Sequence, residues 1–136
     1  METNPYRIRF RTDQPSVWLL EGFLFYIPKE SISLLLDEVN SLSASCSWLG
    51  FDMIYSITLT SPYTRQLIDI QANSGAAWIC TLNDPIGFLA TRGWKTTLSQ
   101  AGAADANYGR WHLPIITVTL PDMPHNWFVT AQIANM

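Results

Sequence analysis

Val17-Trp18-Leu19-Leu20 is a short apolar run without helical period, closed by Glu21-Gly22. Four continuous apolar residues of this kind predict a strand buried on both faces, as in a parallel sheet. The period then changes. After Pro28, the residues Ile32, Leu35, Leu36, Val39 and Leu42 recur every three or four positions, with Glu30 in the first turn. Proline at the first helical position, an early carboxylate and one apolar stripe predict a helix over about 28–43. A strand is expected over 47–54, with Asp52 near its C-terminal end. Ser61-Pro62 offers a capping serine and a first-turn proline for a weaker helix reaching about residue 72.

Asp84-Pro85 and Gly93 bracket Phe88, Leu89 and Ala90, the punctuation of a further helix. A strand is expected over 94–99, followed by an irregular or briefly helical connection over 101–111. Residues 115–120 are apolar and β-branched, and Pro121 and Pro124 then mark a turn. Trp127, Val129 and Ala131 alternate in a closing strand over 126–133. No internal repeat or low-complexity stretch interrupts this order, which is an α/β pattern. One feature is awkward. A doubly buried strand has neighbours on both edges, yet the most apolar one, 17–20, comes first and follows only a polar arm.

Composition narrows the class. The 136 residues are 48% apolar and 14% charged, which fits one domain and is too apolar for intrinsic disorder. A chain of this size buries roughly two-thirds of its unfolded surface. The net charge of −3 advertises no nucleic-acid partner, and Arg7, Arg9 and Arg11 read as a solvated arm. Cys46 and Cys80 are too few for a disulfide scaffold and too scattered for zinc, so both are expected as buried, reduced thiols. No apolar run approaches the ~20 residues of a membrane helix. The N-terminus has no apolar signal core, which makes the cytoplasm the expected compartment.

Four segments together resemble the leucine carboxyl methyltransferase-like family of S-adenosylmethionine-dependent O-methyltransferases. Trp18-Leu19-Leu20-Glu21-Gly22-Phe23-Leu24-Phe25-Tyr26-Ile27-Pro28 is similar to the family's strand-to-helix segment. Asn83-Asp84-Pro85 through Leu89-Ala90-Thr91-Arg92-Gly93-Trp94 is similar to its "DP…fLa..GW" segment. Ala106-Asn107-Tyr108-Gly109-Arg110-Trp111 resembles a "YGR" segment, and Asn126-Trp127-Phe128-Val129-Thr130-Ala131 the C-terminal strand. Order and spacing agree over about residues 15–133.

Members of that family are about twice as long, and their N-terminal half carries a glycine-rich cofactor loop. No G-x-G occurs here. The resemblance therefore implies the C-terminal half of a class I (Rossmann-like) methyltransferase fold. Its sheet strands would be 4-5-7-6 with one antiparallel, flanked by helices. Residues 1–14 would be a polar arm and 15–136 the half-domain. S-adenosylmethionine is the family cofactor, and this chain alone is expected not to bind it.

Glu21 ends the first strand on the carboxyl edge, where open α/β sheets bind ligands. The resemblance puts it beside the methionyl part of the cofactor; the alternative is a turn residue satisfied by backbone amides. Tyr26 matches a family tyrosine on the substrate side, or is a packing residue with its hydroxyl at the rim. Asp52 reaches the same cleft or stands solvated. Tyr108 and Arg110 are similar to residues that shape the substrate side. Arg110 could hold a carboxylate bidentately, or stack on Trp111. His112 and His125 have no partner spacing for metal or triad chemistry and read as structural or surface residues. Methyl transfer is mostly positioning, so no catalytic residue and no metal ligand is assigned.

Two functions follow as expectations. The chain is a truncated O-methyltransferase, inactive until a separate N-terminal half is supplied. Alternatively, it is a non-catalytic interaction module. In either case the uncovered surface of 17–22 is expected to drive a homodimer or larger homo-oligomer.

Overall fold

A computed structural model describes residues 9–114 and 123–133. The chain runs through strand β1 (Val17–Leu20), a 3-10 turn (Leu24–Tyr26), helix α1 (Lys29–Leu42) and strand β2 (Trp48–Ile54). Helices α2 (Ile57–Thr60), α3 (Arg65–Asn73) and α4 (Pro85–Ala90) follow. Strand β3 (Trp94–Gln100), a 3-10 turn (Ala104–Ala106) and strand β4 (Asn126–Ile133) complete the order. The apolar, β-branched stretch 115–120 lies outside the described residues.

The four strands form one mixed sheet in the order β1-β2-β4-β3. β1 and β2 are parallel, and β4 lies between β2 and β3, antiparallel to both. The carboxyl ends of β1, β2 and β3 and the amino end of β4 therefore share one edge.

Register decides what each face presents. Val17 and Leu19 align with Trp48 and Gly50, which align with Gln132 and Thr130. Trp18 and Leu20 align with Leu49 and Phe51, and these with Ala131 and Val129. The second set is the covered face. Leu49, Phe51, Met53, Val129, Ala131 and Trp94 form one buried cluster with Ile32, Leu36 and Val39 of α1, Leu89 of α4, and Leu24 and Phe25. The first set is open: Val17 is 79% exposed and Leu19 70%.

That corrects the expectation of a doubly buried first strand. β1 is covered on one face only, because α1, α4 and the first 3-10 turn all pack beneath the sheet. The thiols also part company. Cys80 is buried, and burial pushes its thiol pKa up; Cys46 is exposed, with its backbone in the left-handed region at φ 68°. An apolar neighbourhood in sequence did not translate into burial at a turn.

α1 lies within one residue of its expected bounds, with Pro28 as the cap residue in extended backbone. Its end is tied to β1: the Trp18 indole donates to Ser43 Oγ at 2.9 Å, and that hydroxyl donates to the Val39 carbonyl. The helix expected from Ser61-Pro62 starts later, at Arg65. Ser61 closes α2 instead, where its hydroxyl accepts from the Tyr63 amide. α3 buries no residue.

Candidate functional site

The quoted motifs turn out to be hinges around the carboxyl edge. Glu21-Gly22 turns the chain out of β1, with Gly22 at φ 60° where a side chain would be strained. The Gly22 amide donates to Asp52 Oδ1 at 2.6 Å, so a carboxylate at the end of β2 pins the turn after β1. Asn83 clamps the loop after β2. Its Oδ1 accepts from the Ser56 amide and its Nδ2 donates to Ser56 Oγ, at 2.8 and 2.9 Å. Asp84 caps α4 by accepting from the Gly87 amide at 3.0 Å, and Pro85 supplies the first helical position. A Cβ at Gly87 would lie 2.2 Å from Asp84 Oδ2, so the cap requires glycine three residues on.

After β3, Asn107 organises the loop that carries Tyr108 and Arg110. Its Oδ1 accepts from the Gly109 and Trp111 amides, and its Nδ2 donates to the Trp111 carbonyl. Gly102, at φ 84°, has the Trp111 indole against it; a Cβ there would lie 2.9 Å from the ring. Two Asn-centred clamps and three glycines, Gly22, Gly87 and Gly102, thus shape the edge.

Three of the five predicted site residues line one cleft. Glu21, Tyr108 and Arg110 surround a depression of about 670 Å3 on the open face, floored by Thr97, Phe128 and Thr130. Asp52 lines a smaller adjoining depression that shares Glu21, Phe128 and Thr130. Gly50 sits in its floor beside Leu19. Tyr26 lines neither: it belongs to the first 3-10 turn and its ring stacks, tilted, on Phe25 at 4.9 Å between centroids. Glu21 and Arg110 are exposed, and Tyr108 projects fully from its loop.

The cleft is charged at both ends of its width. Glu21 and Asp52 gather acid at the β1–β2 edge, while the loop beyond β3 brings Arg110 together with Asp105. Such an arrangement can receive a ligand carrying both an ammonium and an anionic or strongly polar group. Among the described residues no group of three His, Cys, Asp or Glu could hold a metal ion. No helix among them is long and apolar enough to cross a membrane.

Sequence patterning missed a second cavity on this edge, beneath the Trp111 loop, where His125 is buried. Its walls come from positions as far apart as 58 and 126, and no local spacing signals that they meet.

Relatives of the chain are S-adenosyl-L-methionine-dependent methyltransferases by name, at 28–33% identity for the longer alignments. One from Streptomyces avermitilis, named as a candidate of that class, is 33% identical over 100 residues, 71% of this chain and 33% of the relative. A similarly named protein of Frankia alni is 32% identical over 111 residues, covering 80% and 36%. One from Mycobacteroides abscessus is 30% identical over 143 aligned positions, covering 93% and 44%. The chain spans about a third of the length of the first two and under half of the third. No family model matches it. An α/β chain with a mixed four-stranded sheet and flanking helices is compatible with a methyltransferase fold.

Proposed function

We propose that the chain forms part of an S-adenosylmethionine-dependent O-methyltransferase of the leucine carboxyl methyltransferase-like type, and that it needs further polypeptide to act. In this reading β1, β2, β4 and β3 correspond to strands 4, 5, 7 and 6 of the class I sheet. The observation that carries it is the insertion of the last, antiparallel strand between β2 and β3, in a chain whose relatives bear methyltransferase names.

The residues present fit the cofactor only at one end. Glu21 offers an exposed carboxylate at the sheet's carboxyl edge, suited to the ammonium of a methionyl group. Asp52 is already committed to the Gly22 amide and acts by fixing the Glu21 turn. No glycine-rich loop is available for close backbone approach to the nucleoside, so the remaining contacts fall to residues beyond this chain. When bound, the cofactor supplies an electrophilic methyl group; Glu21 would orient its methionyl end, and Tyr108 and Arg110 would hold the acceptor side.

Calorimetric titration tests this. The chain alone should show no binding of S-adenosylmethionine or its demethylated product. Co-expression with the unmatched portion of the Frankia relative should restore binding in a co-purified complex. Micromolar affinity of the chain alone sinks the partial-site reading.

A second reading is favoured by the bare face of β1. Val17 and Leu19 are exposed apolar residues on an edge strand, a surface that proteins ordinarily cover. A non-catalytic module could cover it by self-association. Light scattering at micromolar concentration separates the cases, since a stable monomer removes the second reading.

A further inference from the structure

The cavity around His125 measures about 220 Å3 and opens at the carboxyl edge, beyond the ends of β2 and β3 and the start of β4. Trp78, Trp111, Leu67 and Pro124 give it apolar walls, two of them indoles. Both indoles are held in place. Trp78 packs on Phe25 with 5.0 Å between ring centroids, and Trp111 is seated against Gly102 and donates to the Pro114 carbonyl.

His125 is the polar centre of the wall. Only 6% of it is exposed, and its backbone is fixed by Thr58, whose hydroxyl donates to the His125 carbonyl and accepts from the His125 amide at 3.0 and 3.1 Å. The ring meets Tyr55 edge-on at 6.0 Å, but among the described residues no group hydrogen-bonds its nitrogens. An imidazole nitrogen in the cavity wall that no protein group engages is free to accept from a polar ligand. The Trp78 indole N–H, in the same wall, is buried without a partner.

None of the described lining residues is Lys, Arg, Asp or Glu. Burial also pushes the imidazole pKa down, so the ring is neutral at pH 7. A carboxylate entering here would lose its hydration and find no counter-charge. A neutral hydroxyl would find an imidazole nitrogen to accept its proton in a hydrogen bond. The size is decisive too: a cavity of about 150 Å3 takes benzene, so this one holds one substituted ring and little more.

We propose that this cavity is a binding site for an uncharged, single-ring phenol, its ring against Trp78 and Trp111 and its hydroxyl on the His125 imidazole. The site is distinct from the Glu21–Arg110 cleft and separated from it by the 101–111 loop, which contributes Trp111 to one and Tyr108 and Arg110 to the other.

Calorimetric titration of the chain with 4-methylphenol and with benzoate at pH 7 decides it without any cofactor. Saturable 1:1 binding of 4-methylphenol is expected, with Kd on the order of 0.1–1 mM for so small a ligand. Benzoate should bind at least about tenfold more weakly. Leu67→Trp, at a partly exposed wall position, should fill the cavity and abolish binding. His125→Phe should weaken binding about tenfold or more. Should that variant unfold, Leu67→Trp still tests the location. Equal affinity for benzoate, unchanged affinity in Leu67→Trp, or no saturation with 4-methylphenol up to ~10 mM would overturn the proposal. Failure of cofactor binding in the co-expressed complex would instead strike the methyltransferase reading and leave the phenol site standing.

Discussion

The two faces of the sheet are cut from the same four strands, yet alternate residues send them to different environments. On the covered face stand Leu49, Phe51, Met53, Val129 and Ala131, all nearly inaccessible beneath α1, α4 and the first 3-10 turn. On the open face Val17, Leu19, Trp48 and Phe128 alternate with Gly50, Thr97 and Thr130, and the four large apolar side chains remain exposed. An open face of an antiparallel sheet is ordinarily polar. Here its apolar members cluster on β1, the start of β2 and mid-β4, while β3 contributes Lys95, Thr97 and Ser99. Half of the open face is therefore polar and half apolar.

The difference can be measured. Leu36→Ala, under the covered face, should cost about 2–5 kcal/mol in chemical denaturation, the range for emptying a buried leucine site. Leu19→Ala should change monomer stability by less than about 0.5 kcal/mol. If the two cost alike, the open face is buried in solution and the contrast fails. The association form is sharper: Val17→Lys with Leu19→Lys should abolish any self-association seen by light scattering while leaving the far-UV spectrum unchanged. An oligomer that survives both charges must use another surface.

Smaller effects probe the edge that joins the faces. Asp84→Ala removes the cap of α4 and should lower stability by about 1 kcal/mol, and Gly87→Ala should mimic it by displacing the capping carboxylate. The pH dependence is gentler. Burial holds the His125 imidazole below its ordinary value near 6.5, so the unfolded chain binds the proton more readily. Stability should therefore fall as pH drops through about 6.5 towards the depressed native value, then level off. His125→Gln should flatten that part of the profile in a denaturation series at stepped pH.

Much of the fold was legible because its signals are local. The run 17–20, the stripe in α1, the alternation of 126–133 and the Asp84-Pro85…Gly93 punctuation each report on backbone preferences within one element, and they match the observed bounds within a residue or two. Ser61-Pro62 misled because a serine before a proline serves a turn as well as a helix start; here Ser61 ends α2. Of the candidate cleft, Glu21 and Asp52 were read from the carboxyl ends of strands and Tyr108 and Arg110 only from the family resemblance, because a loop position carries no local signal of the edge it reaches. Tyr26 could not be separated from a packing residue by sequence, and its ring stacks on Phe25.

Local patterning, then, settled which segments are strands and helices and which glycines, prolines and aspartates punctuate them, because those preferences act within a few residues. It could not tell that the first strand has one bare face, since an apolar run looks the same whether one layer or two will cover it. Nor could it bring Thr58, Trp78, Trp111 and His125 around one cavity. Those meetings depend on β4 inserting between β2 and β3, a pairing between residues some 75 positions apart, such as Phe51 with Val129. Long-range register chose the neighbours, and the neighbours set a neutral imidazole in the wall of that cavity.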